Sequence, residues 1–364
     1  MGIAVYVSGH GLGHSARQVE ILRHLPEAIP LTIKTRAPEW FWRDELSRPF
    51  TLIPESFDVG CIQKDGLHID TTATITAWQM IDQQNRERFP TEVEDIRQRG
   101  IRLIVSDVPS FPLMVAKQLG LPSVCVVNFT WVDIYRSLDE TAEEIATLNR
   151  IADGLEQEYA TATLALEAGF ALPMSYFPRK ESVGLVARSL PNNPIPSRER
   201  LIPALPPTAQ RKKLALVYVG GWGLPIPYER VTEFTDWHFI SLDAPPVPPP
   251  NWTVLPRTLM EHPALVDAVD LVISKPGYGL AAECVSLGTP LLYPPRPEFA
   301  EYPALDSVLR QWAGGIPLSR SAFLSVQWQD SLHRAANLPP IPRLPTPGGT
   351  TAAKRLSEIY DGFT

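Results

Sequence analysis

The sequence predicts an α/β protein made of two doubly wound parallel-sheet domains, and three observations predict it. Short apolar runs of strand character alternate with helical patterns along the chain, the order that gives parallel sheets covered by helices. A strand that runs into a glycine-rich turn appears at the start, Ile3–Val7 followed by Gly9-His10-Gly11-Leu12-Gly13-His14. It recurs past the middle, Leu214–Val219 followed by Gly220-Gly221-Trp222-Gly223, as a pair of Rossmann-like nucleotide folds would show. Between the two, Arg188–Pro207 is rich in Pro, Asn, Ser and Arg without apolar periodicity and reads as a semi-rigid linker.

The first half offers the strands Ile3–Val7, Leu31–Thr35, Ile101–Ser106 and Ser123–Asn128, with helical segments at Ala16–Leu25, Thr91–Arg99 and Leu113–Leu119. Ligands of open parallel sheets gather beyond the carboxyl ends of the strands. Ser8–His14, Thr35-Arg36, Ser106–Ser110 and Asn128–Trp131 are therefore expected to share one crevice. Leu138–Ala168, rich in Glu, Ala and Leu with apolar residues at helical spacing, is expected as one long helix with a solvated charged face. The second half offers the strands Leu214–Val219, Trp237–Ser241, Thr253–Leu255, Leu271–Ser274 and Pro290–Tyr293, with the proline-rich Asp243–Pro250 as an exposed loop. Thr350–Tyr360 is helical in character after Pro347-Gly348-Gly349, and is placed to cross back to the first domain. The expected division is a first domain over 1–190, a linker over 191–208, a second domain over 209–345 and a closing helix over 346–364.

Composition bounds the function. With 364 residues, 44% hydrophobic and 20% charged, the chain has the material for about two globular domains. A formal net charge of -7 argues against nucleic acid or an acidic membrane surface as principal partner. No apolar run approaches the roughly 20 residues of a membrane span, and no basic segment followed by an apolar one opens the chain. A cytoplasmic protein is expected, with peripheral membrane contact still compatible. Cys61, Cys125 and Cys284 are far apart in apolar settings and read as buried reduced thiols, so neither a disulfide framework nor a structural metal is expected.

Two constellations carry chemistry. In the first turn, Gly11 and Gly13 let the backbone approach a ligand ahead of a helix N-terminus with its unpaired N–H groups. His14 adds an imidazole, suited to taking a proton near neutral pH, whereas His10 reads as a structural hydrogen-bonding residue. Asp107, closing a strand, is the candidate partner of His14. Arg17 is expected to cap or pack beside the turn or to contact an anionic acceptor. Asn128 and Trp131 close a neighbouring strand, Trp131 with a ring able to stack on a sugar. The second constellation is Ser274-Lys275-Pro276-Gly277-Tyr278-Gly279-Leu280-Ala281-Ala282-Glu283, which opens a helix with Pro276 expected in its first turn. Its N-terminus suits a pyrophosphate, Lys275 adds a cation, and Glu283 is placed to accept hydrogen bonds from a ribose diol. His24, His68, His238, His262 and His333 share no ligand spacing and are assigned no role.

These residues resemble a known family. Ser274–Glu283 followed by Gly288-Thr289-Pro290-Leu291-Leu292-Tyr293-Pro294 resembles the donor-nucleotide signature of the GT-B glycosyltransferases. Gly13-His14 before a helix is similar to the N-terminal turn of the UDP-glycosyltransferases, in which a histidine is the acceptor base and an aspartate, here Asp107, orients it. Most of the chain also resembles the glycosyltransferase-like N-terminal region of plant-type L-arabinokinases. That likeness rests on Gly9–Arg17, Asp58-Val59-Gly60-Cys61-Ile62-Gln63, Ser106-Asp107-Val108, Val127-Asn128-Phe129-Thr130-Trp131 and Lys275–Gly279. No Gly-rich ATP loop follows, so a sugar-kinase module is not expected in this sequence.

The resemblance implies the GT-B architecture, two domains facing across a cleft. It implies an inverting, metal-independent transfer of a hexosyl or pentosyl group from a nucleotide-diphosphate sugar, most simply a UDP-sugar, to a small-molecule or lipid-linked acceptor. His14 and Asp107 would be catalytic, with Gly11, Gly13, Arg17, Asn128 and Trp131 on the acceptor side. Gly220, Gly221, Arg257, Lys275, Gly277, Tyr278, Gly279 and Glu283 would bind the donor nucleotide, and Arg296, Glu298 and Glu301 the donor sugar. The nucleotide sugar is then a co-substrate and no separate cofactor is expected. The chain departs from the UDP-glycosyltransferase pattern at Lys275-Pro276, where histidine and glycine stand, and at Val254, where an aromatic residue stacks on the base. The base is therefore expected to be read by backbone around Arg257–Met260. A nucleotide-sugar-binding regulatory module without turnover, and a GT-B epimerase or hydrolase, remain the alternatives.

Overall fold

The computed structural model describes residues 1–64, 68–138, 140–218 and 225–363. Its first sheet is parallel and contains β1 (Gly2–Val7), β2 (Leu31–Lys34), β3 (Thr51–Ile53), β4 (Ile101–Asp107), β5 (Ser123–Val127), β6 (Leu164–Ala168) and β7 (Lys180–Gly184), in the order β3-β2-β1-β4-β5-β6-β7. The second holds β8 (Lys213–Val217), β9 (Trp237–Ser241), β10 (Trp252–Val254), β11 (Leu271–Ile273), β12 (Leu291–Tyr293) and β13 (Gly315–Pro317), in the order β10-β9-β8-β11-β12-β13. Helices cover both faces of such sheets, so the central strands are apolar on both sides; Ile3, Ala4, Val5, Leu214, Ala215 and Leu216 are all fully buried. One apolar core runs from Ile3 and Val5 through Leu22 and Tyr278 to Leu216 and Val272, and so joins the two sheets.

In each sheet the strand order reverses beside the first strand, between β1 and β4 and between β8 and β11. A ligand crevice is expected at each reversal, beyond the carboxyl ends of the strands. The helices that leave β1 and β11, Gly13–Arg23 and Tyr278–Leu287, meet near their N-termini. A Cβ added at Gly279 would lie 3.7 Å from the Gly13 Cα.

Several elements differ from the sequence reading. Leu138–Ala168 is not one helix; the helix Ala142–Tyr159 is followed by β6. Leu164–Ala168 has helix-forming composition, but it pairs with β5 through Val124↔Leu164 and Cys125↔Ala165, and tertiary pairing overrides local preference. The helix expected over Thr91–Arg99 starts at Thr71 and continues through Pro90, because Phe89, Val93 and Ile96 pack on both sides of that proline in one apolar cluster. The edge strands β3, β7 and β13 carry three to five residues each, too few for a periodic signal. The linker contains the short helix Ser197–Leu201. The helix Gly348–Gly362 lies against the first sheet, with Arg355 Nε 2.8 Å from Glu181 Oε2 of β7 and the Arg102 guanidinium 5.2 Å from the Tyr360 ring. Cys61, Cys125 and Cys284 are buried and free. Among the described residues no helix is long and apolar enough to cross a membrane.

Candidate active site between two glycine turns

β1 and β4 are neighbours in register, Val7 beside Asp107, so the turn after β1 and the end of β4 open on the same crevice. Gly11 makes that turn with φ at 76°, a left-handed conformation that side-chain-bearing residues rarely adopt. Gly60 lies under the His10 ring, where a Cβ would come within 2.6 Å of it. The helix then starts at Gly13 without a side-chain cap. His14, Arg17 and Gln18 fall on one face of it by their three- and four-residue spacing.

All three side chains converge on Asp107. His14 Nδ1 lies 2.8 Å from Asp107 Oδ1. Arg17 grips the carboxylate with both arms of its fork, Nε to Oδ2 at 2.8 Å and Nη2 to Oδ1 at 2.6 Å. Gln18 Nε2 donates to Oδ2 at 2.9 Å. Asp107 is fully buried, and burial alone would raise its pKa. The charges of Arg17 and His14 outweigh burial and hold it well below the usual carboxylate range. An ionised Asp107 accepting from Nδ1–H leaves His14 Nε2 as the basic nitrogen. His10 is depressed to about 3 by burial and then by the charges of His14, Lys275 and Arg296, which keeps it neutral.

Arg17 also ties the two domains together. Its Nη1 donates to Asn128 Oδ1 at 2.5 Å, and Asn128 Nδ2 donates to Glu301 Oε2 at 3.2 Å. Its guanidinium lies 4.9 Å from the Tyr278 ring, whose hydroxyl accepts the Val186 N–H at 3.0 Å. Buried in this way, Arg17 presents no free face to an anionic acceptor. Trp131 packs edge-on against His10 and His14 at 5.4 and 6.1 Å between ring centroids, and its Nε1 donates to Asp58 Oδ2 at 2.7 Å.

On the other wall, Ser274–Gly277 follow β11 and Gly277 caps the helix, with no side chain on its first N–H groups. Pro276 therefore precedes the helix instead of occupying its first turn. Both Glu283 oxygens already have partners: Arg188 Nε at 2.7 Å from Oε1 and His262 Nδ1 at 2.7 Å from Oε2. Burial pushes this carboxyl up, but Arg188 and His262 hold it at about 2. Arg188 reaches Glu45 of the first domain as well, at 2.7 Å. Arg257 is exposed and paired with Asp243 at 2.5 Å. Gly220 and Gly221, with Trp222, lie outside the described residues.

The loop after β12 spans the cleft. Glu301 is buried and meets Asn128; burial raises its pKa against the pull of Arg296, Asn128, His14 and Arg17. Arg296 is buried with its guanidinium 3.5 Å from the Phe299 ring, and its Nε has no partner; burial lowers its pKa to about 10 against the opposing charges of Glu301 and Glu298. Glu298 meets Arg320 at 3.0 Å. Lys275 and Arg296 are near enough for their charges to act on His10, and Arg296, His14 and Arg17 act on Glu301. Among the described residues no three His, Cys, Asp or Glu side chains cluster as a metal site.

The sequence reading assigned no role to Asp58, Arg188 or His262. His262 had no spacing to mark it, and Arg188 lay in the apparent linker. For Asp58 a signal existed, because Asp58–Gln63 is one of the runs that carry the family resemblance.

No family profile matches the chain. It is 29% identical over 368 aligned positions to an L-arabinokinase of Arabidopsis thaliana, covering 99% of this chain and 34% of that protein. The chain thus spans about a third of the length of that relative. Among solved structures it resembles a UDP-glucosyltransferase from Polygonum tinctorium capable of glucosylating indoxyl, with a TM-score of 0.65, 14% identity and 99% of each chain covered. It also resembles an Arabidopsis thaliana UGT complexed with UDP-L-rhamnose, with a TM-score of 0.61, 14% identity, and 100% and 94% coverage. A glycosyltransferase in complex with dTDP matches with a TM-score of 0.57, 14% identity, and 100% and 96% coverage. The fold is the GT-B arrangement of two parallel sheets.

Proposed function

We propose that the protein transfers a glycosyl group from a nucleotide-diphosphate sugar to an acceptor hydroxyl, with the acceptor on the first domain and the donor on the second. The observation that carries this reading is the buried His14–Asp107 pair placed against the N-terminus of the helix Tyr278–Leu287. A nucleotide cradle alone has no need of a histidine oriented by an ionised aspartate.

In the reaction, His14 Nε2 takes the proton of the acceptor hydroxyl as its oxygen attacks the anomeric carbon. A new C–O bond forms there while the bond from that carbon to the diphosphate oxygen breaks, and its electron pair leaves with the nucleoside diphosphate. Attack from the opposite face inverts the anomeric centre. Asp107 holds the ring and stabilises the imidazolium that forms, as the acid of a catalytic triad does. The charge that develops on the diphosphate meets the open N–H groups at Gly277–Gly279 and the Lys275 ammonium. These supply electrostatic stabilisation by groups already in place, which is why the mechanism is proposed as metal-independent. Arg296, Glu298 and Glu301 would face the donor sugar. A UDP-sugar is the donor we favour, because the resembling structures include a UDP-glucosyltransferase and a UGT complexed with UDP-L-rhamnose.

Calorimetry with UDP-, dTDP- and GDP-sugars tests the donor half. Transfer to a panel of phenols and alcohols by wild type and His14→Ala tests the base, with an expected loss of about 10²–10⁴-fold. Absence of nucleotide-sugar binding, or transfer untouched by His14→Ala, refutes the reading. Binding without any transfer points to the module without turnover.

A further inference from the structure

The first domain contains a cavity of about 440 Å³ between the Phe57–Val59 loop, the helix Thr71–Gln98 and the starts of the helices that follow β4 and β5. Phe57, Trp78, Phe89, Phe111, Trp131 and Tyr135 give it six aromatic lining side chains. Two of its residues, Asp58 and Trp131, also reach the site described above, since Trp131 is hydrogen-bonded to Asp58 and packs against His14.

The charges of this cavity are unbalanced. Asp58, Asp82 and Glu158 line it, and Arg86 is the one basic side chain among its lining residues. Arg86 is already paired with Asp82, Nη2 to Oδ2 at 2.8 Å. Three carboxylates against one guanidinium leave two negative charges, on Asp58 and Glu158. Asp58 accepts hydrogen bonds from Trp131 and Ser8, and Glu158 accepts one from the Ser110 hydroxyl at 2.5 Å. Among the ion pairs of the described residues neither is matched by a base. Burial raises the pKa of both carboxyls, against those hydrogen bonds and against the charges of His14 near Asp58 and Arg86 near Glu158.

We propose that this cavity binds the acceptor and selects one that carries an ammonium group on an aromatic or alicyclic body. This rests on the glycosyl-transfer reading given above. The ring body stacks on the aromatic walls, and the ammonium meets one of the two carboxyl groups, Asp58 or Glu158, where water is partly excluded and Coulomb attraction is stronger than in bulk. Trp78 and Phe89 line the same cavity, and aromatic rings attract a nearby cation. A neutral polyol would satisfy hydrogen bonds but leave both charges unmatched.

Calorimetry in the absence of donor, with tyramine and its neutral analogue tyrosol as probes, tests the proposal. Both share one phenolic body and differ only in ammonium against hydroxyl; methyl glucoside serves as the polyol. Tyramine is expected to bind about ten-fold more tightly than tyrosol, the scale of one charge-assisted contact. That preference is expected to shrink to under about three-fold in Asp58→Asn/Glu158→Gln and to be partly lost in Glu158→Gln alone, the gentler change. Equal or tighter binding of tyrosol or methyl glucoside, binding of none of them, or a preference that survives the double variant overturns the proposal. The wild-type comparison stands even if the double variant does not fold. Nucleotide-sugar binding, measured separately on the same protein, reports on the transfer reading, so the two fail independently.

Discussion

Arg188→Met removes the cation at the centre of a buried contact between the domains. Its guanidinium touches Glu283 Oε1 and Glu45 Oε1, each at 2.7 Å, with side-chain exposures of 8% for Arg188, 2% for Glu283 and 13% for Glu45. Breaking a buried pair from one side costs about 3–5 kcal/mol, because the partner's charge stays in a medium that solvates it poorly. Here His262 stays on Glu283 Oε2, so the expected loss sits near the lower end, about 3 kcal/mol. Arg188→Met/Glu283→Gln removes the stranded charge as well and is expected to be more stable than the single variant by about 1–2 kcal/mol, a coupling typical of groups in direct contact. Urea unfolding followed by the fluorescence of the nine tryptophans measures both. Because Arg188 joins Glu45 of the first domain to Glu283 of the second, the single variant is also expected to separate one unfolding transition into two. A loss below about 1 kcal/mol, or a double variant as damaged as the sum of its parts, refutes the reasoning.

Asp107→Asn takes the charge from beneath the His14 ring and leaves the Arg17 guanidinium buried without its carboxylate. Transfer is expected to fall by about 10⁴-fold, as when a triad aspartate becomes asparagine, with stability down by about 3–5 kcal/mol; transfer near the wild-type rate sinks the catalytic assignment. Acid sensitivity follows from Glu283, whose folded pKa of about 2 lies below its ordinary 4.5. A depressed carboxyl stabilises the fold fully above its unfolded pKa and ceases to do so as pH falls through its folded pKa. Glu283→Gln is therefore expected to lower stability at pH 7 and flatten the decline between about pH 5 and pH 2; an unchanged slope in chemical unfolding across that window contradicts the assignment.

Legibility in the sequence followed physical cause. β1, β8 and β9 are apolar runs buried on both faces, and they stand out in composition alone. Leu164–Ala168 is equally apolar, but its Leu, Ala and Glu suit a helix, and only pairing with β5 makes it a strand. The three residues each of β3 and β13 are strands because a neighbour holds them at the sheet edge. In the site, His14 and Asp107 are readable because each ends or follows a recognisable strand. The rest is not: Arg17 meets Asp107 across 90 positions, Arg188 meets Glu283 across 95, and Asn128 meets Glu301 across 173.

By itself the sequence determined that two strand–glycine–helix units exist, that one carries an imidazole and the other a cation and a carboxylate, and that the chain is globular and acidic. These are local properties, set by periodicity and residue type within a few turns of backbone. The tertiary structure alone decided that the two turns face each other, that Arg17 shares Asp107 with His14, and that both oxygens of Glu283 are held by Arg188 and His262. It alone enclosed a cavity with two unmatched carboxylates beside Trp131. Each of these depends on which distant side chains share a buried volume, and charges separated from water must find partners wherever the packing of two sheets happens to bring them.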